Sequence, residues 1–111
     1  MKFALSALAA ALTLASPASF AGDAGTTAIE ALGKVNGIAL ACQQPAIASR
    51  ARNALVTTAP KTRANGEIFE NATNAAYLEQ GKGLPCPDAV TLASLVDAAE
   101  KGLQSAFATG R

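Results

Sequence analysis

Apolar positions follow a helical period in four successive segments of the chain. The clearest stripe lies in the last segment, where Leu92, Val96, Ala99, Leu103 and Ala106 recur at spacings of four and three. Alternating runs of β-branched and aromatic residues, which are typical of strands, do not occur. The pattern predicts an all-α protein, a small antiparallel four-helix bundle with short connections.

The first helix is predicted to begin at Thr27, because Thr27 and Glu30 match a capping box, after a mobile lead-in over residues 22–25. Gly33 and Gly37 each cost about 1 kcal/mol relative to alanine inside a helix. We therefore expect a neighbouring backbone to pack closely against them; a helix break near Gly37 is the alternative. The predicted inner stripe consists of Ala28, Leu32, Val35, Ala39 and Cys42.

The second helix is predicted to run from Pro45 to Thr58. Proline suits the first helical position, since its missing N–H would be unpaired there anyway. Pro60 ends the helix because it disfavours the helical conformation at Ala59. The inner stripe is Ile47, Ala51, Ala54 and Leu55, and the residues expected to face the solvent are Arg50, Arg52 and Asn53.

The third helix has two possible starts in the sequence. It begins either within residues 60–63 or at Glu67, the latter after a turn at Asn65-Gly66. Its end is predicted just before Gly81. The fourth helix follows a proline-rich segment, and either Cys86 or Asp88 is expected to cap it.

The N-terminus has the pattern of an export signal. Lys2 precedes an apolar run over residues 3–14, and Ser19-Phe20-Ala21 is a small-x-small cleavage site. Cleavage after Ala21 would leave a single helical domain of residues 22–111. The apolar run is shorter than the roughly 20 residues that span a bilayer, so we expect no stable membrane anchor. The predicted destination is the periplasm or the exterior, which the sequence does not separate.

The two cysteines are predicted to form a Cys42–Cys86 disulfide. Exported proteins fold in oxidising compartments, where paired cysteines predominate. In an up-down-up-down bundle the end of the first helix and the start of the fourth also lie at the same pole. Closing this loop is worth about 4 kcal/mol on the chain-entropy account. Two buried free thiols are the alternative.

The composition excludes several classes of chemistry. The chain has no histidine, which rules out Ser-His-Asp and Cys-His sites and histidine-ligated zinc or haem. No C-x-x-C motif is present. Glu67 and Glu70 could share a cation, but a solvated helix face accounts for them equally well. We therefore expect no catalytic residues, no metal and no cofactor.

Charge gives one candidate surface and excludes one partner. Residues 1–21 contain one basic residue, Lys2, and no acidic residue. Cleavage would therefore reduce the 9 basic residues of the chain by one, to the same number as its 8 acidic residues. Such a balance argues against nucleic acid. Basic residues nevertheless gather around the second helix and the turn after it, which makes this the candidate surface for an acidic protein partner or an anionic headgroup; they are Arg50, Arg52, Lys61 and Arg63. Ordinary solvent-exposed cations are the alternative.

These observations support three functional hypotheses. The leading one is a non-enzymatic exported protein that binds a protein partner, as inhibitors and immunity proteins do. The second is a periplasmic stress chaperone, on the analogy that acid-activated periplasmic chaperones are also small and helical. The third is a hydrolase that works without histidine. The partner's identity and the oligomeric state are left open by the sequence.

Overall fold

Four α-helices without strands make up the described part of the chain in this computed structural model, residues 17–108, with side chains described from residue 24. The helices are α1 (Pro17–Ala41), α2 (Pro45–Thr58), α3 (Arg63–Gln80) and α4 (Ala89–Phe107). The predicted all-α four-helix fold is confirmed. Most of the predicted export signal, residues 1–16, lies outside the described residues. None of the described helices is both long and apolar enough to cross a membrane.

The ends of α2 and α3 follow from local chemistry. The bounds of α2 are those predicted, and Ala59 after it is extended, with ψ of 148°, as the following proline requires. α3 begins at Arg63, and Thr62 caps it by accepting a hydrogen bond from Asn65 N at 3.1 Å. The alternative start at Glu67 is therefore wrong, since the Asn65-Gly66 step lies inside the first turns of α3.

The predicted start of α1 at Thr27 is wrong, because the helix runs without a break from Pro17. Residues 22–25, expected to be mobile, are helical. A tertiary contact accounts for this: a Cβ on Gly25 would lie 2.9 Å from the Phe107 ring of α4. The aromatic ring packs against the backbone of α1 here, so the capping-box pattern falls in the interior of a longer helix.

The N-terminus of α4 is capped by Asp88 rather than by Cys86. Asp88 Oδ1 accepts a hydrogen bond from Thr91 N at 2.8 Å. This bond favours the carboxylate and lowers the pKa of Asp88 below its ordinary value. The cap therefore stabilises α4 at neutral pH, and this contribution is lost as the pH falls through the lowered pKa.

α1 is the central helix of the bundle. It packs on all three other helices, and α2 also packs on α4, whereas the extensive contacts of α3 are with α1. The bundle is therefore a three-helix core with α3 docked on the far side of α1. The largest fully buried side chains come from α1 and α4, and they are Ile29, Leu32, Leu92, Val96 and Leu103.

Glycines allow α3 to approach α1 at backbone distance. A Cβ on Gly33 would lie 2.7 Å from Phe69 O and 2.8 Å from the Ala72 Cβ, and one on Gly37 would lie 2.8 Å from the Ala76 Cβ. The expected close packing is confirmed, and α1 does not break at Gly37. The order of these contacts also shows that α1 and α3 run parallel, as they must in an up-down-up-down bundle.

A buried polar link fixes the register of this seam. Asn36 is 2% exposed, and its Nδ2 donates to Thr73 Oγ1 at 3.1 Å. The Thr73 hydroxyl in turn donates to Gly33 O at 3.2 Å. Sliding α3 along α1 would leave these groups buried and unpaired, which costs more than the bonds contribute.

The predicted disulfide is confirmed. Cys42 and Cys86 are joined, with their Cα atoms 5.8 Å apart. The bond clamps the end of α1 to the segment before α4. The end of α3 is held to the same segment, because Gln80 Nε2 donates to Leu84 O and Pro85 O, both at 3.0 Å.

The glycine seam gives a prediction with an internal control. Gly33→Ala and Gly37→Ala should each lower the free energy of unfolding by about 1–3 kcal/mol, because α3 must move to admit the methyl group. Gly102→Ala should raise it by about 0.5–1 kcal/mol, since a Cβ there meets nothing within 4 Å and alanine is the better helix former. Urea unfolding measures all three; equal effects would contradict the seam.

Reduction of the disulfide should lower the free energy of unfolding by about 4 kcal/mol, because the unfolded chain regains the entropy of the open loop. Thermal or urea unfolding with and without dithiothreitol measures this. The Cys42→Ser/Cys86→Ser variant should show the same loss and no response to reductant. A wild-type midpoint unchanged by reductant would argue against a stabilising role.

Candidate binding surface at the corner between α2 and α3

An open hollow lies where the chain turns from α2 into α3. Its volume is about 360 Å³. The walls are mostly apolar and come from Leu55, Val56, Ala59 and Pro60, while the polar and small lining residues are Lys61, Thr62, Asn65 and Gly66. Val56 is 54% exposed. The lining contains no acidic residue, so its formal charge is positive.

Hydrogen bonds hold the shape of this corner. Asn65 Nδ2 donates to Pro60 O at 2.9 Å, and Asn65 N donates to the Thr62 hydroxyl at 3.1 Å. The backbone N–H of Gly66 donates to Thr62 O at 3.1 Å. Because the loop is tied to the first turn of α3, the hollow is formed before anything binds in it, and this reduces the entropy lost on binding.

Arg50, one of the four predicted surface cations, forms ion pairs with two acidic residues of α4. Its Nη2 and Nε donate to the Glu100 carboxylate at 2.8 and 3.2 Å, and Asp97 lies 3.6 Å from Nη2. The hydrogen bond to Glu100 raises the pKa of Arg50 above its ordinary value. Arg50 is half-buried instead of fully solvent-facing, and it ties α2 to α4.

Arg52 lies on a different side of α2. Two residues along a helix correspond to a rotation of about 200°, so Arg50 and Arg52 cannot contribute to one patch. Arg52 is exposed and lies one turn before Leu55 and Val56 on the same face of α2, next to the hollow and outside its lining. Lys61 is in the lining itself. Neither Arg52 nor Lys61 forms an ion pair with any described residue.

Arg63 lines an adjoining polar groove that shares Gly66 with the hollow. The same groove contains Glu67 and Glu70 together with two asparagines. The two carboxylates offset the charge of Arg63. The four predicted cations thus have different surroundings: Arg50 is structural, Arg63 has acidic neighbours, Lys61 lines the hollow, and Arg52 lies one turn away from it on α2.

Two further grooves were not foreseen from the sequence. One runs between α1 and α4 and is lined mainly by alanines; the other runs between α1 and α3 and includes Glu30, Lys34 and Ile68. Both depend on which helices dock on α1, and no local pattern in the sequence indicates that. The hollow did have a local signal: Val56 is a large apolar residue on the polar side of α2, one turn before Pro60.

No family model, curated protein or solved structure matches this chain. The chemistry of the corner is therefore the basis for assigning a function. Groups of three or more potential metal ligands do not occur in residues 24–108. The corner offers an apolar hollow beside two unpaired cations, an arrangement suited to holding an apolar group next to an anion.

The different roles of Arg50 and Arg52 can be tested by measuring the free energy of unfolding of their alanine variants. Arg50→Ala should lower the free energy of unfolding by about 1 kcal/mol, because it removes a bidentate pair between α2 and α4. Arg52→Ala should change it by less than about 0.5 kcal/mol, since the side chain is exposed and unpaired. Urea unfolding of both variants measures the difference. Equal losses would show that the pair with Glu100 contributes nothing.

Proposed function

We propose that this chain is a small exported protein that acts in the periplasm by binding a protein partner, in the manner of an inhibitor or immunity protein, and not by catalysis. The observation that carries the proposal is the hollow at the corner between α2 and α3, with Arg52 and Lys61 beside it. It combines exposed apolar surface with unpaired charge on a rigid support, as protein-binding surfaces do.

The scaffold around the corner supports this proposal. The disulfide clamps one pole, the glycine seam holds α3 against α1, and Arg50 ties α2 to α4. The glycine seam restrains α3 and the Arg50 ion pair restrains α2, whereas the disulfide joins the end of α1 to the segment before α4. A surface held in this way loses little conformational entropy when a partner binds.

The available side chains favour binding over catalysis. The chain has no histidine, and both cysteines are in the disulfide, so neither a thiolate nucleophile nor the usual neutral-pH base is at hand.

The charge pattern favours a protein partner over nucleic acid. Recognition of a phosphate backbone needs many cations on one face. Lys61 lines the hollow and Arg52 lies one turn away, while the next groove combines Arg63 with Glu67 and Glu70, so the corner has few cations and no continuous basic face. A few carboxylates on a protein surface match this pattern better.

Affinity capture from periplasmic extract tests the proposal. The oxidised protein serves as bait, the captured protein is identified and purified, and its affinity is then measured by calorimetry. Arg52→Ala/Lys61→Ala should weaken binding by about tenfold or more, which corresponds to the loss of about 1.4 kcal/mol. The affinity of the wild type should also fall with added salt, because exposed charges are screened.

Lys34→Ala is the matched control, because Lys34 is exposed on α1 and lines a different groove. It should bind the partner like the wild type. The proposal fails if the double variant binds with unchanged affinity, or if no protein binds the bait saturably.

A further inference from the structure

We infer that the hollow between α2 and α3 receives a single apolar side chain of an acidic protein segment, with a neighbouring carboxylate placed on Lys61 and Arg52. This inference rests on the proposed function and adds to it the chemistry of the bound segment. The bound segment carries a leucine or similar residue flanked by aspartate or glutamate.

The walls of the hollow specify the apolar part of the ligand. Leu55, Val56, Ala59 and Pro60 present side-chain carbon toward an open volume of about 360 Å³, which suits one large side chain. Val56 is more than half exposed, so a ligand there would remove apolar surface from water. Gly66 adds no side chain to the floor, and a Cβ on it would meet nothing within 4 Å.

The charges around the hollow specify the flanking groups. Lys61 stands in the lining and Arg52 one turn away on the same face of α2, and neither is neutralised by a described carboxylate. Glu67 and Glu70 line the adjoining groove, which shares Gly66 with the hollow and also contains Arg63. An anion placed next to the apolar side chain therefore meets positive charge on the side of α2.

The same charges favour a protein segment over a lipid surface. Binding to anionic membranes relies on clusters of about 4–8 basic residues. The lining of the hollow has one basic residue, Lys61, and the groove beside it combines Arg63 with two carboxylates. A membrane covers a broad surface and would meet Arg63, Glu67 and Glu70 as well as the hollow, whereas the lining that a single side chain meets contains Lys61 and no acidic residue.

Amide chemical shifts of the ¹⁵N-labelled, oxidised protein test this directly. The probe is a blocked pentapeptide, Glu-Glu-Leu-Glu-Glu, and the comparison peptides are Glu-Glu-Ala-Glu-Glu and Lys-Lys-Leu-Lys-Lys. The leucine-containing acidic peptide should shift the signals of Val56, Lys61 and Gly66 in a saturable way. Each comparison peptide should bind about tenfold or more weakly, because it lacks either the apolar anchor or the carboxylates.

Two matched pairs of variants locate the site. Gly66→Leu should fill the hollow and abolish the peptide-induced shifts, while Gly102→Leu, at the other helical glycine with open space around it, should leave them unchanged. Lys61→Glu should weaken binding and Lys34→Glu should not. Val56→Glu provides a second block of the hollow should Gly66→Leu prove unfolded by circular dichroism.

The outcomes separate this inference from the proposed function. If Gly66→Leu still binds the captured partner while Arg52→Ala/Lys61→Ala does not, protein binding stands and the anchoring role of the hollow is overturned. Equal binding of the leucine and alanine peptides also overturns it. If phosphatidylglycerol vesicles produce the shifts and the acidic peptide does not, the surface recognises lipid and the inference is wrong.

Discussion

The close approach of two helix backbones at Gly33 and Gly37 determines the rest of the architecture. Side chains of ordinary size at these positions would collide with α3, so glycine is what allows α3 to lie against α1. Since the extensive contacts of α3 are with α1, this seam sets where α3 lies in the bundle, while the Thr62 cap sets where it begins. The corner between α2 and α3, and the hollow within it, take their shape from that placement.

A seam of small residues buries little apolar area, and other interactions compensate. The buried Asn36–Thr73 link selects one register, while the disulfide restricts the unfolded chain and ties the far pole together. Packing, polar specificity and covalent restraint thus act at different points along α1. The central helix can then support three neighbours in a chain whose core is rich in alanine.

One helix carries both a structural and a proposed binding cation. Arg50 and Arg52 are two positions apart on α2, so the helix directs them to different surroundings. Arg50 meets Glu100 and Asp97 of α4, whereas Arg52 lies on the face of α2 that carries Leu55 and Val56. The same residue type therefore ties helices together on one side of α2 and stays available to a ligand on another, and only its position around the helix axis distinguishes the two roles.

Local chemistry in the sequence determined the number of helices, both ends of α2, the buried stripe of α4 and, together with the expected compartment, the Cys42–Cys86 bond. The helices and their ends depend on periodicity and proline, which act over a few residues. The disulfide follows from the topology of four successive antiparallel helices. Tertiary structure alone decided that α1 begins before Thr27, because Phe107 of α4 packs against Gly25. Tertiary structure also decided that Arg50 pairs with Glu100, 50 residues away. Such a pairing depends on how the helices dock and not on any pattern along the chain.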